Sequence, residues 1–274
     1  MKEKAKKGRE MELLYEELTH ELIGCFFDVH NSLGVGYDEF AYHQALNRRF
    51  QKRSIDYRSE ERKALMHRDR QVRVFKADLI TFDKIILELK TLQSGFIKPN
   101  YVQIISELKL WQMNLGLLVN FGLQKVEIER IPFTEKDKTI SENYDYIRDC
   151  LSDENRDILV KIRDAILYVF EVHGLGYSDV TYRRILEHEF DFRHIRYQNR
   201  TPIELNYDGE TISVFKMRPF LIENRTICDI KALHEKIDFY DIAKIQSYLR
   251  ALNLRVGIIV NFGKNALEIR GIRA

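Results

Sequence analysis

Glu88 and Lys90 lie two residues apart in the apolar segment Ile85–Lys90. In an extended chain, side chains at i and i+2 leave the same face, so the carboxylate and the ammonium point together. Whether Asp78 joins them depends on the turn. A two-residue turn at Asp83-Lys84 pairs position 78 with 89 and turns Asp78 away from Glu88. A three-residue connection, or a bulge, pairs 78 with 88 and brings the carboxylates together. Asp-Lys lacks the glycine that tight primed turns favour, so the longer connection is expected. Two adjacent carboxylates repel unless a cation lies between them. Oxygen-only ligation with room for water suits Mg2+ or Mn2+. Such an ion activates water for in-line displacement at a phosphate, and a neighbouring lysine orients the water and offsets developing charge. The set is coherent for phosphodiester hydrolysis. The bare spacing D-x9-E-x-K is a weak pattern in a chain that is 31% charged, and an exposed hairpin of alternating charge would share it.

The elements that must position these groups occur twice. Gly116-Leu-Leu-Val-Asn-Phe-Gly122 returns as Gly257-Ile-Ile-Val-Asn-Phe-Gly263, and Val74-Phe-Lys76 as Val214-Phe-Lys216. Gly36-Tyr-Asp-Glu39-Phe-Ala-Tyr42 returns as Gly176-Tyr-Ser-Asp179-Val-Thr-Tyr182, Glu88-Leu-Lys90 as Asp229-Ile-Lys231, and Val29-His30 as Val172-His173. These matches are collinear, with a nearly constant separation, which marks a tandem duplication. In the first copy, Leu14, Leu18, Leu22, Phe26 and Val29 have helical spacing over 13–32, broken by Gly34-Val-Gly36. A second helix is expected over 38–51, extended segments over 55–58, 63–67, 71–82 and 85–90, a helix over 98–114, and strands over 115–120 and 126–131. The second copy repeats this from 157 to 273. The reading is α/β: two tandem modules, each a central mixed sheet flanked by helices. Domain limits are placed at 1–133, a charged connector at 134–153 with helical character near 144–151, and 154–274.

The 274 residues suffice for two ordinary domains, and 45% hydrophobic content is that of a globular chain. No apolar run of membrane-spanning length occurs. The charged segment Met1–Glu10 does not resemble a secretory signal. Cys25, Cys150 and Cys228 are odd in number, widely spaced and unlike a metal site, which fits a reducing cytoplasm. Net charge is +2. Between Arg48 and Lys76, however, eleven Lys or Arg (48, 49, 52, 53, 58, 62, 63, 68, 70, 73, 76) face four acids (56, 60, 61, 69). That run could contact phosphates or could be a solvated helix end and hairpin.

Gly36-x-x-Glu39-x-x-Tyr42 after a helix ending in Val29-His30, then Lys76-Ala-Asp78, Glu88-Leu-Lys90, Gln103 and Val119-Asn-Phe-Gly122, resembles the GxxExxY family of the PD-(D/E)XK nuclease superfamily. The resemblance spans nearly all of 13–133. It implies a restriction-endonuclease-like core, with Asp78 and Glu88 as ligands of Mg2+ or Mn2+, Lys90 as catalytic lysine, Glu39 as an additional acid and metal ligand, and Gln103 near the site. It implies a nucleic-acid substrate, with DNA ahead of RNA. Tyr42, His30, Asn120 and Trp111 read instead as packing or capping residues, Trp111 as core.

The second copy departs at the key place. Asp179, Asp229 and Lys231 match Glu39, Glu88 and Lys90, but no acid matches Asp78: constant offset gives Arg218, and the local pattern gives Phe220. Glu223 is the nearest acid, Lys244 replaces Gln103, and Pro219 disfavours a regular central strand. This copy is expected to be catalytically impaired, serving as an intramolecular pseudo-dimer partner or nucleic-acid clamp; a homo-oligomer is also compatible. The function expected is a metal-dependent nuclease with one active site in the N-terminal copy. The alternative is a non-catalytic nucleic-acid-binding or scaffold protein on the same fold.

Overall fold

Helix α1, Glu16–Leu33, buries Leu22, Cys25, Phe26 and Val29 along one face and stops at Gly34, whose φ of 73° few other residues adopt and whose N–H closes onto the His30 carbonyl. The computed structural model describes residues 14–135, 137–234 and 236–274. The charged segment Met1–Glu10 and the reading made of it lie outside the described residues. Helix α2, Glu39–Arg53, is capped by Asp38, whose carboxylate accepts the Ala41 N–H at 2.9 Å. The strands β1 (Tyr57–His67), β2 (Arg70–Thr81) and β3 (Ile85–Lys90) follow, then α3 (Lys98–Trp111), β4 (Leu115–Asn120) and β5 (Glu127–Pro132). They form a five-stranded mixed sheet in the order β1-β2-β3-β4-β5. β2/β3 and β4/β5 are antiparallel, while β3/β4 is parallel because α3 carries the crossover. Leu22, Phe26, Leu46 and Phe50 of α1 and α2 bury against Leu79, Leu87, Leu89, Leu117 and Val119 on one sheet face.

The β2–β3 connection sets the register. Thr81 pairs with Ile85, leaving Phe82, Asp83 and Lys84 between them. Phe82 and Asp83 both take positive φ (55° and 51°), and the Lys84 N–H bonds the Thr81 carbonyl at 3.0 Å. Leu79 pairs with Leu87, so one further step sets Asp78 opposite Glu88. This is the register of the longer connection, achieved without glycine by two left-handed residues and one extra residue.

The second repeat comprises β6 (Ile140–Asn143), a short 3-10 turn at Arg148–Cys150, α4 (Asp153–His173), α5 (Asp179–Phe192), β7 (Tyr197–Gln198), β8 (Pro202–Tyr207), β9 (Glu210–Lys216), β10 (Phe220–Ile222), β11 (Thr226–Ala232), α6 (Phe239–Ala251), β12 (Val256–Phe262) and β13 (Leu267–Arg273). Its six-stranded sheet runs β6-β13-β12-β11-β10-β7, and β8 and β9 form a separate two-stranded ribbon. Two features differ from expectation, and a third is the break expected at Pro219. Residues 140–143 are not simple connector but a strand added parallel to β13. Helix α4 begins at Asp153, where Ser152 caps the Asn155 N–H, rather than at 157. The counterpart of the continuous β2 is broken into β9 and β10, and Pro219, with no N–H for the ladder, stands in the gap.

Two compact units result. One holds the chain up to Glu61, Lys76–Ile104 and Gln112–Phe133; the other holds Arg62–Phe75, Ile105–Trp111 and Thr134–Ala274. The outer part of the β1–β2 hairpin thus belongs to the second unit. There His67 is buried, with Nδ1 2.9 Å from His173 Nε2 and Nε2 2.9 Å from Glu189. Arg68 and Arg193 also donate to the fully buried Glu189 carboxylate, and Phe75 packs by Tyr177. Trp111, expected in the core, is half-buried at the end of α3.

Candidate functional site

The β2–β3 hairpin and the N-terminal turn of α2 bring four of the sequence candidates to one place in the first unit. Asp78, on β2, accepts the Leu89 N–H at 2.9 Å, which fixes its carboxylate beside β3. Glu88 is buried, 1% exposed, and Lys90 reaches back along the strand to ion-pair with it. The Lys90 ammonium also donates to the Leu89 carbonyl at 2.7 Å and lies 3.6 Å from Glu39 Oε2. Burial opposes charging of Lys90, but the Glu88, Glu39 and Asp78 carboxylates outweigh it and hold the ammonium above the usual lysine range. Burial pushes the Glu39 carboxyl up; Lys90 pulls it back and Asp78 adds to the rise. Gln103 is half-buried in the second turn of α3.

Could this set hold Mg2+ or Mn2+? The donors are oxygens on facing strands, which suits a hard cation. Among the described residues, no group of three or more His, Cys, Asp or Glu stands ready to enclose a metal. Asp78 and Glu88 would therefore hold an ion by two carboxylates and leave the rest of its shell to water and substrate oxygens. That is the ordinary situation for Mg2+ at phosphates.

The motif residues around the site serve packing. The Tyr42 hydroxyl donates to the Gly34 carbonyl at 2.7 Å, and its ring stacks on Phe121 at 4.7 Å. Tyr182 repeats both contacts in the second unit, with Gly174 at 2.6 Å and Phe262 at 3.8 Å. His30 bonds the Leu123 carbonyl at 2.9 Å. Asn120 Oδ1 accepts from the Leu92 and Gly122 N–H groups at 2.8 and 3.0 Å, tying the end of β4 to the chain leaving Lys90. Gly122 is required by this approach: a Cβ there would stand 2.3 Å from the Leu92 carbonyl oxygen.

The second unit replaces the site with internal ion pairs. Phe220 pairs with Cys228, so one step further sets Pro219 opposite Asp229. The position of Asp78 is therefore taken by Pro219, neither Arg218 nor Phe220 as constant offset or local pattern suggested. Lys244, at the position of Gln103, donates to Asp229 at 2.7 Å. Lys231 pairs with the buried Asp241, and Arg218 lies 3.5 Å from Asp179. Glu223 sits in the β10–β11 turn and accepts from Arg196 Nε at 2.8 Å, so it does not stand in for the missing acid. Asp241 escaped the sequence reading although it falls 141 residues (241 − 100) after Asn100, at the separation that relates Lys244 to Gln103.

The basic run 48–76 is largely committed to internal pairs. Arg49 and Arg53 meet Asp28, Arg58 meets Glu61 and Asp83, Lys76 meets Glu60, Arg68 meets Glu189, and Arg70 meets Asp191. No described helix is long and apolar enough to cross a membrane.

No curated protein and no solved structure shows significant similarity to this chain. A family model does: that of the PD-(D/E)XK nuclease superfamily matches residues 16–131 and again 156–273, the two repeats in turn. With most of its length so matched, the chain belongs to the PD-(D/E)XK nuclease superfamily, as two tandem copies of the fold.

Proposed function

We propose that the chain is a metal-dependent nuclease of the GxxExxY type that hydrolyses phosphodiester bonds in nucleic acid, DNA ahead of RNA, in the cytoplasm. Its one working site is in the first repeat. The observation that carries this reading is that Asp78 and Glu88 stand at facing register positions of β2 and β3, with Lys90 ion-paired to Glu88 and to Glu39 of α2. A divalent ion, Mg2+ or Mn2+, bound by Asp78 and Glu88 would supply Lewis acidity to the scissile phosphate and to its attacking water. The Leu89 N–H fixes the Asp78 carboxylate beside β3, where it would take part in holding the ion. Lys90 is kept protonated by its three carboxylate neighbours, so it offers N–H donors to the attacking water and to charge developing on the phosphate. Glu39 steadies that ammonium from α2. Gln103 would orient substrate or water, a role supported by its counterpart Lys244, which reaches the counterpart of Glu88. Asp179, Asp229 and Lys231 form a non-catalytic remnant, closed by Arg218 and Lys244.

A panel of duplex and single-stranded DNA and RNA, incubated with Mg2+ or Mn2+, tests this. Cleavage is expected to fall by about 100-fold or more in Asp78→Ala and in Lys90→Ala, the scale seen when one charge-stabilising group is removed. Cleavage unchanged in both variants places the chemistry elsewhere. Salt-dependent binding without cleavage by the wild type makes the protein a binder.

A further inference from the structure

Beside the closed remnant in the second unit lies a cavity of about 300 Å³, lined by Arg183, Arg184, Arg200 and Arg218 with Glu187 and Asn199 among its other residues. Four guanidinium groups face one carboxylate. Arg183 is fixed: its guanidinium lies 4.1 Å over the Phe220 ring and donates to Asn199 at 3.0 Å, while Asn199 donates to Glu187 at 2.8 Å. Arg218 touches Asp179 only at 3.5 Å. Arg184 and Arg200 are exposed and ion-pair with no acid among the described residues.

The first repeat supplies an internal comparison. Matching α2 to α5 sets His43 against Arg183 and Gln44 against Arg184, each 140 residues apart (183 − 43, 184 − 44). The strand register that sets Asp78 against Pro219 sets Ala77 against Arg218. At three positions around the site, a group of little or no charge in the first repeat is an arginine in the second. At the fourth, the metal-ligating acid is gone. The change around the place is thus a gain of three arginines and the loss of one acid. Guanidinium forks match phosphate oxygens in geometry, stay charged at any working pH and stack on rings as Arg183 does.

We infer that the cavity beside the second repeat's remnant is a phosphodiester-binding pocket, in which Arg183, Arg184, Arg200 and Arg218 grip the backbone of the nucleic acid that the first repeat cuts. This rests on the nuclease reading for the identity of the ligand, but not on cleavage itself.

The test is equilibrium binding of the full chain, followed by fluorescence anisotropy. The parent is the Asp78→Ala variant in EDTA, and the probes are a labelled 20-base-pair DNA duplex and a labelled single-stranded RNA. Arg184→Glu/Arg200→Glu is expected to bind at least one probe about 10-fold to 100-fold more weakly. The slope of log K against log salt should fall by about 2, one for each lost phosphate contact. The neutral pair Arg184→Gln/Arg200→Gln should fall between. Arg156→Glu/Lys161→Glu, the same change of charge at exposed α4 positions that do not line the cavity, should change affinity less than threefold. The inference is overturned if the Arg184/Arg200 variants bind like the parent, if the α4 control weakens binding equally, or if the parent binds neither probe. Cleavage by the wild-type chain with Mn2+, assayed separately, keeps the two ideas apart. Cleavage with unaltered binding in the arginine variants defeats the pocket alone. Binding that depends on the arginines, without cleavage, defeats the nuclease reading alone.

Discussion

His173 should make the second unit lose stability in mild acid, well before its carboxylates titrate. The ring lies against His67 and Tyr177, with the Lys109 ammonium and the Glu189 carboxylate as the other charges that act on it. Burial, then His67 and Lys109, hold its pKa down to about 3, against an ordinary value of 6.5; Glu189 opposes them without prevailing. His67 is lowered as well, by burial above all. Between these values the unfolded chain binds a proton that the folded chain refuses. Stability is therefore full above about pH 6.5 and falls as pH drops toward 3. At 1.36 kcal/mol per pH unit, His173 alone removes about 2 kcal/mol between pH 6.5 and 5. The assay is urea unfolding at pH 7 and pH 5, followed by the fluorescence of the single tryptophan, Trp111, which belongs to the same unit. His173→Gln is expected to remove about 2 kcal/mol of the difference between the two pH values, whatever it does to stability at pH 7. If wild type and variant show the same pH dependence, the proposed burial of a neutral His67–His173 pair is wrong.

Other outcomes follow from single contacts. Gly122→Ala forces a Cβ to within 2.3 Å of the Leu92 carbonyl oxygen and should destabilise the first unit by about 1–3 kcal/mol, read as a lower urea midpoint. Because the displaced strand end carries Lys90, cleavage should fall further than stability alone explains. Tyr182→Phe removes the hydroxyl that donates to Gly174 while leaving the ring on Phe262, for a loss of about 1 kcal/mol in thermal or chemical unfolding. Lys244→Met removes the direct ion-pair partner of the buried Asp229 and should cost about 3 kcal/mol; the same change at exposed Lys161 should be nearly silent.

Much of the fold was legible because its signals are local or repeated. The helical spacing of Leu22, Phe26 and Val29 marks α1, and the glycine-free Asp83-Lys84 turn implies the connection that brings Asp78 to Glu88. The recurrence of Val-Asn-Phe-Gly identifies the duplication. What escaped depends on partners distant in sequence. Residues 140–143 become a strand only because β13 offers an edge 127 residues on (267 − 140). The replacement of Asp78 by Pro219 is fixed by the β10–β11 ladder, not by counting from the nearest match. The basic run 48–76 suggested a phosphate surface, but its acidic partners include Asp28, Glu189 and Asp191, which lie outside the run and are joined to it only by folding. The arginines of the cavity come from α5 and from the segments around β7 and β10, and no window of sequence shows them as a cluster.

The hairpin segment Arg62–Phe75 belongs to the unit built mainly from the second repeat. The repeats are thus separate in the gene but not in the folded chain. A piece ending at 133 would carry His67 and Phe75 without His173, Glu189 and Tyr177; a piece beginning at 134 would keep Glu189 without His67 and Arg68. Each half would hold an orphaned surface, one with His67, Arg68 and Phe75 uncovered, the other with Glu189 left to Arg193 alone. Whatever chemistry the second repeat keeps or lacks, it supplies the buried partners of a hairpin that the first repeat contributes.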